Sequence, residues 1–301
     1  MRFLKFPLLA ALTALVLYAL YYPFIPQPAQ PEPEVIWAEP LVHPLRSDVY
    51  SYSHSEQVRK RLAYPMKAPA NRALPDFDAI SDVNLKKQAF FAYLGPYVAH
   101  ENARLRALRK QLLKLQSQLN ASQPLTVQDY AFVYALFDEF RMDVDHFDDD
   151  SLSELLKRVD VLPASMVLMQ AANESAWGTS RFAVEGLNFF GQWCFREGCG
   201  IVPLARGEDQ FHEVARFDTA AASIRSYFYN LNTFHSYESL RDIRAELRAR
   251  NKPVRGEDLV QGLMSYSERG EDYIAEISGM IRFNCPIMEE VKQLVAISPA
   301  C

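Results

Sequence analysis

The sequence predicts a mainly α (α+β) protein, and three observations carry that expectation. Leucines fall at 105, 108, 112, 115 and 119, the alternating three-and-four step of one helical stripe. After Phe217 four further helical segments follow, "TAAASIRSYFYNLN", "YESLRDIRAELRAR", "GEDLVQGLMSY" and "DYIAEISGMIRF". Between these regions, residues 189–217 change texture, with aromatics, glycines and β-prone pieces such as "GIVPL" and "FHEVARF". That stretch predicts one or two hairpins.

The N-terminus reads "MRFLKFPLLAALTALVLYALYYPFIP", with Arg2 and Lys5 ahead of an uncharged apolar run from Phe6 to Ile25. The run is near the lower limit for a bilayer span, and the charges favour an N-in, C-out orientation. A cleaved signal peptide has a similar pattern, but a small-x-small site is missing. An uncleaved anchor is the favoured alternative, and both imply export. The Pro- and Glu-rich "PQPAQPEPEVIWAEPLVHPL" then reads as an extended spacer. No element is assigned from there to Leu74.

From Asp82 the helical pattern begins, and Gly95-Pro96 is expected to break or kink it. Thr126 and Asp129 are placed to form a capping box ahead of "YAFVYALFDEF". In "DVDHFDDD", Asp143, Asp145 and Glu154 fall at positions 1, 3 and 12 of a calcium loop. Position 6 is Asp148, where the turn needs glycine, so the segment reads as a solvated acidic linker. His100 and His146 each stand alone and read as structural. Ser151 and Glu154 predict a second capping box, and Pro163 the first turn of "PASMVLMQAANESAWG". Val167, Gln170, Ala171 and Glu174 share one face of that helix, which Gly178 ends; Glu174 is expected one turn before the end.

A net charge of −5 over 301 residues argues against a nucleic-acid partner, because phosphate neutralisation needs a basic excess. The one basic segment, "RDIRAELRARNKPVR", reads as a helix face in water. Export permits disulfides, so Cys194 and Cys199 in "CFREGC" are expected to pair, and Cys285 with Cys301 as a second pairing. Buried free thiols are the alternative. Cys-x4-Cys without a second pair is a poor zinc site, and no metal or cofactor is expected.

Glu174 sits among Ala171, Ala172 and Trp177, with Phe189 and Phe190 following. An apolar pocket disfavours a charged carboxyl, which is what an acid that protonates a departing oxygen requires. Flat aromatic faces suit sugar rings, so Trp177, Trp193, Tyr227, Tyr266 and Tyr273 are candidate platforms, with core packing the alternative for each.

"QAANESAWGTSRFAVEGLNFFG" resembles the signature of the glucosaminidase family of peptidoglycan hydrolases, most closely its Bax branch in Gram-negative bacteria. The family runs Ala-Gln-Ala, two residues, Glu-Ser-Gly-Trp-Gly and later Asn-Leu-Phe-Gly. The resemblance covers about residues 150–285 and continues in "FDTAAASIRSYFYNL" and "LMSYSERGEDYIAEI". It implies a lysozyme-like helical domain with a small β-hairpin lobe over a cleft. It carries the general acid over to Glu174 and substrate positioning to Tyr266 and Tyr273. Asn188, Phe190 and Gly191 match the turn that opens the lobe; Trp177 and Gln170 complete the expected substrate-binding set.

Two departures stand out. Where the family's hairpin carries a second carboxylate, this chain has Leu204, Ala205 and Arg206. Glu208, Asp209 and Glu213 lie near enough to substitute, Glu208 being the catalytic candidate, and assistance by the sugar's acetamido group would remove the need. Asn173 replaces an apolar residue of the motif.

The resulting division is a signal anchor or signal peptide (1–25), a Pro-rich spacer and unassigned segment (26–75) and a helical N-terminal region (76–150). A glucosaminidase-like catalytic domain (151–285) and a C-terminal tail (286–301) follow. The expected activity is cleavage of the β-1,4 bond at N-acetylglucosamine in periplasmic peptidoglycan, by a monomer tethered to the inner membrane. A lytic transglycosylase or muramidase on the same scaffold, and a non-catalytic wall-binding scaffold protein, are the alternatives.

Overall fold

A computed structural model describes residues 45–53, 55–63, 67–204, 206 and 211–295. The expected anchor, most of the spacer, Glu208, Asp209 and Cys301 lie outside the described residues. Among the described residues no helix is long and apolar enough to cross a membrane.

Two short helices, α1 (Arg46–Ser53) and α2 (Glu56–Leu62), occupy the stretch left unassigned. Ser55 caps α2 by accepting from the Val58 amide. The long helix α3 (Val83–Asn120) starts at Asp82, whose carboxylate accepts from the Leu85 amide at 2.9 Å. Its leucine stripe is buried as the spacing predicts: Leu105, Leu108, Leu112 and Leu115 are core and Leu119 packs at its edge.

The break expected at Gly95-Pro96 does not occur; α3 runs 38 residues with Pro96 inside it. A proline in a helix strips the carbonyl four residues back of its amide donor. Arg72 supplies replacements, its Nη2 donating to the carbonyls of Ala92 and Tyr93 at 2.9 and 2.6 Å. A guanidinium from outside the helix thus satisfies the carbonyl that the proline leaves open.

Helix α4 (Val127–Glu139) begins with the capping box read from Thr126 and Asp129. The next box is displaced. Helix α5 (Asp149–Arg158) is capped by Asp148 reciprocally with Ser151, while Glu154 pairs with Arg158 at 2.7 Å. The acidic segment before it is also no simple solvated linker. Phe147 is fully buried between the rings of Tyr130 and Phe137, and its amide donates to Tyr134 Oη at 3.0 Å.

Helices α6 (Ala164–Glu174) and α7 (Arg181–Gly186) lead into three strands, β1 (Trp193–Cys194), β2 (Gly200–Ile201) and β3 (Glu213–Ala215). They form one antiparallel sheet in the order β1-β3-β2, in which the consecutive strands β2 and β3 make a hairpin and β1 adds to the other edge of β3, pairing Cys194 with Glu213 and Gly200 with Ala215. The Cys194–Cys199 disulfide closes the loop between β1 and β2. Cys285 is disulfide-bonded as well.

Helices α8 (Ala220–Thr233), α9 (Glu238–Ala249), α10 (Gly256–Val260) and α11 (Glu271–Val295) complete the fold. Helix α11 continues through Pro286, so residues 286–295 are helix rather than tail. Helix α3 packs against α6, α8 and α11, and residues from Val49 to Val291 share one hydrophobic core. The mainly α (α+β) class is as the sequence predicts.

The basic segment that begins on α9 faces water only in part: Arg248, Arg250, Lys252 and Arg255 are exposed, but two of its arginines are not. Arg241 and Arg244 are 2% and 1% exposed. Arg244 donates to the carbonyls of Lys157 and Val161 at 2.6 and 2.9 Å, satisfying groups left over where α5 ends. Arg248 donates two hydrogen bonds to the Asp160 carboxylate, at 2.9 and 3.0 Å, and Arg109 approaches the same carboxylate at 3.5 Å. Burial pushes the Asp160 carboxyl upward, but the Arg248 bonds and the Arg244 and Arg109 charges outweigh it and hold the group below its ordinary value. Two residues on, the Leu162 amide donates to Asn102 Oδ1 at 2.9 Å while Asn102 Nδ2 donates to the Leu162 carbonyl at 2.7 Å. The chain therefore approaches α6 clamped from both α3 and α9.

This network predicts the effect of Asp160→Asn. Removing the Asp160 carboxylate from its cage of arginines leaves buried charge uncompensated, a loss of about 3 kcal/mol in unfolding free energy. Because the folded-state pKa is depressed, the wild-type contribution is present above the ordinary carboxylate range and lost as pH falls through the folded value. Urea unfolding of parent and variant at neutral pH and near pH 3 checks both statements. A variant as stable as the parent at neutral pH would refute them.

Candidate active site

Helix α6 is buried from Ala164 through Ala172, and Glu174 is its last residue, half-buried where the helix emerges. The sequence spacing placed Glu174 one turn earlier within the helix. The termination explains the motif that follows it. Ser175, fully buried, donates from Oγ to the Ala171 carbonyl at 2.6 Å and accepts from the Gly178 amide at 2.9 Å. The Trp177 amide donates to the Ala172 carbonyl at 2.8 Å, and Ala176 takes a left-handed φ of 49°. This is a Schellman ending, closed without glycine at its left-handed position. Glycine is required two residues later: Gly178 has φ +83°, and a Cβ there would lie 2.5 Å from the Phe77 ring. Phe77, upstream of α3, therefore packs directly under the turn that fixes the acid.

Trp177 is turned toward α3. Its ring meets Phe90 and Phe91 at centroid distances of 5.6 and 5.7 Å, with Lys87 Nζ 5.2 Å over its face. Trp177 is partly buried, packed against the edge of the core at the base of the turn.

Glu174 Oε1 accepts a hydrogen bond from Tyr273 Oη at 2.8 Å. Tyr273 accepts from Gln170 Nε2 at 2.9 Å, and Gln170 Oε1 accepts from Tyr227 Oη. Gln170, Tyr227 and Tyr273 are 0%, 1% and 2% exposed. Tyr266, half-buried, stacks on Tyr273 at 5.5 Å and 13°, and its hydroxyl donates to the Phe190 carbonyl at 3.1 Å. Phe190 in turn stacks on Tyr227 at 4.0 Å. The structure thus gathers Glu174, Gln170, Tyr227, Tyr266, Tyr273 and Phe190 around one carboxyl.

Desolvation by burial raises the pKa of Glu174, and the charge of Glu276 works in the same direction. Side-chain hydrogen bonds from Tyr273 and Asn173 and the charge of Arg269 oppose it without cancelling it. The carboxyl also sits at the negative end of the α6 dipole, which disfavours its charged form. Burial raises the Tyr273 hydroxyl as well, with Tyr266 and Glu174 adding to the shift, so the phenol stays a neutral donor.

One neighbour of the acid is not a sequence candidate: Glu276 pairs with Arg269 at 2.7 Å beside the site. Its place three residues after Tyr273, on the same face of α11, is the signal that would have found it. Asn173, the departure from the motif, adjoins the acid in sequence, and its side chain favours the ionised carboxyl.

The other expected residues lie in the lobe. Asn188, 1% exposed, donates to the carbonyls of Gln192 and Ala215 at 2.9 and 2.8 Å and accepts from the Phe190 and Gln192 amides. It holds the turn against β3. Glu213, 5% exposed, accepts from the amides of Gly198 and Gly200 at 3.0 and 2.7 Å, which keep its pKa low. Both its oxygens are committed to the Cys194–Cys199 loop. The sulfurs beside it are bonded to each other and offer no thiolate to a metal. Trp193 is exposed on the sheet, stacked on His212 at 4.2 Å.

Comparison with known proteins agrees with this arrangement. Residues 149–282 match the family model named Glucosaminidase, described as mannosyl-glycoprotein endo-beta-N-acetylglucosaminidase. The chain is 30% identical over 231 residues to Protein bax of Escherichia coli (strain K12), an alignment covering 76% of this chain and 80% of that protein. No solved structure gives a significant match. The chain belongs to the glucosaminidase family, as a Bax-like member with a glycoside-hydrolase-type domain.

Proposed function

We propose that the protein is an endo-β-N-acetylglucosaminidase that cleaves the β-1,4 bond after N-acetylglucosamine in peptidoglycan, with Glu174 as general acid. The observation that carries this reading is the half-buried Glu174 carboxyl, raised in pKa by desolvation at the end of a buried helix and hydrogen-bonded by Tyr273. Such a group still holds its proton at pH values where an ordinary glutamate has lost it. In the reaction the proton passes from Glu174 to the glycosidic oxygen as the C1–O bond breaks. The bonding electrons stay with the departing oxygen; water adds its hydroxyl to C1 and gives up a proton, which by way of solvent restores the Glu174 carboxyl. Tyr266, half-buried and stacked on the buried Tyr273, offers a ring beside the acid in a place suited to a sugar face. Export to the periplasm, tethered through residues 1–25, belongs to the same proposal and agrees with a wall substrate.

Digestion of purified peptidoglycan by the exported chain, followed by mass spectrometry, tests the reading. Reducing-end N-acetylglucosamine is expected. Reducing-end or anhydro-N-acetylmuramic acid would replace it with a muramidase or lytic transglycosylase, and binding without products with a scaffold role. Glu174→Gln is expected to lower kcat about 10²- to 10⁴-fold while leaving the melting temperature near the parent's, because shape is kept and the proton source removed. Turnover equal to the parent's would remove Glu174 from the mechanism.

The pH profile supplies a further prediction. Activity falls as pH rises through the Glu174 pKa, because the protonated form is the reactive one. The Asn173 side chain lowers that pKa, so Asn173→Leu raises it and moves the basic limb of kcat to higher pH. A limb that moves down or stays put in the variant contradicts the assignment.

A further inference from the structure

We propose that Gln170 and Tyr227 are positioning residues that decide which oxygen of Glu174 carries the acid proton. The inference rests on the reading of Glu174 as general acid and concerns the hydrogen-bond chain behind it. Gln170 is a polar side chain in a helix otherwise buried among Val167, Met169, Ala171 and other apolar residues, and it is 0% exposed. Tyr227 Oη donates to Gln170 Oε1, Gln170 Nε2 donates to Tyr273 Oη at 2.9 Å, and Tyr273 Oη donates to Glu174 Oε1 at 2.8 Å.

The chain has a direction because of what each group can offer. An amide has an acceptor end and a donor end, and a phenol has one hydrogen. With its oxygen occupied by Tyr227, Gln170 must turn its NH2 to Tyr273. Tyr273 then accepts, and its single hydrogen has one remaining destination, Glu174 Oε1. An oxygen that accepts that bond is not the one that bears the carboxyl proton, so the proton resides on Oε2, the oxygen outside the chain.

The reverse direction would undo this. Were Gln170 turned over, Tyr273 would donate to it, and Glu174 would hand its own hydrogen to Tyr273 from Oε1. The acid proton would then point into the buried network, away from any leaving group. Tyr227 opposes the reversal: it is 1% exposed and burial raises its pKa well above the ordinary phenol value, so it keeps its hydrogen, and turning Gln170 over would take away the acceptor that this buried hydrogen meets. The stacking of Phe190 on Tyr227 at 4.0 Å holds the ring in place.

Two variants test this, Tyr227→Phe, which removes the orienting donor, and Gln170→Met, which removes the relay with little change of volume. The Glu174 carboxyl is followed by carbon NMR of chain labelled at the glutamate carboxyl, with Glu174→Gln identifying its signal. In both variants the titration midpoint of Glu174 is expected to rise, since Tyr273 is no longer committed to donating to the ionised form. The kcat on peptidoglycan is expected to fall about tenfold or more, with KM within about twofold of the parent. A lower melting temperature with an unmoved midpoint in a folded variant is the mark of a merely structural role and overturns the proposal. If Tyr227→Phe fails to fold, Gln170→Met decides by the same two criteria. The NMR arm does not depend on substrate. A chain that digests no peptidoglycan would sink the proposed function and still report where the Glu174 proton is held.

Discussion

The hydrogen bond from Tyr273 Oη to Glu174 Oε1, 2.8 Å long, ties the last residue of α6 to the first turn of α11 across 99 residues of chain. Much of the fold serves to hold the two ends of that bond. On the α6 side, Asn102 and the arginine cage around Asp160 fix where the helix starts, and the Schellman ending with Ser175 fixes where it stops. On the α11 side, Tyr266 stacks behind Tyr273 and is itself pinned to the Phe190 carbonyl. A carboxyl emerging from a buried helix is costly to ionise, and the surrounding bonds fix how far that cost is relieved.

The segment before the catalytic region belongs to the same body. Phe77 packs beneath Gly178, α3 supplies Phe90 and Phe91 to Trp177, and one core extends from Val49 to Val291. The long helix is therefore a wall of the site. Its continuity through Pro96 depends on Arg72, a residue outside any helix, donating to the carbonyls at the proline. The family signature covers residues 149–282, yet the acid's setting depends on residues well upstream of it.

The β lobe is held by its own small set of bonds. Glu213 accepts the amides of the disulfide-closed loop, and Asn188 links the turn at Phe190 to β3. Conserving shape in this way commits Glu213's carboxylate to structure. The acid and the lobe meet through Phe190, whose carbonyl takes the Tyr266 hydroxyl and whose ring stacks on Tyr227.

Local chemistry was legible in the chain by itself. The leucine stripe of α3, the Thr126–Asp129 capping box and the five-residue separation of Cys194 and Cys199 all depend on near neighbours, and their spacing is physical information. Features that depend on distant partners were not legible. No local pattern says that Arg72 will reach α3, that Arg241 and Arg244 will be buried against the ends of α8 and α5, or that Trp177 will turn to Phe90. The same holds for the chain from Tyr227 through Gln170 to Tyr273, whose members are 57 and 103 residues apart. Spacing records which side chains share a face; only packing decides which donor meets which acceptor, because a buried polar group takes whatever partner the folded core brings within reach.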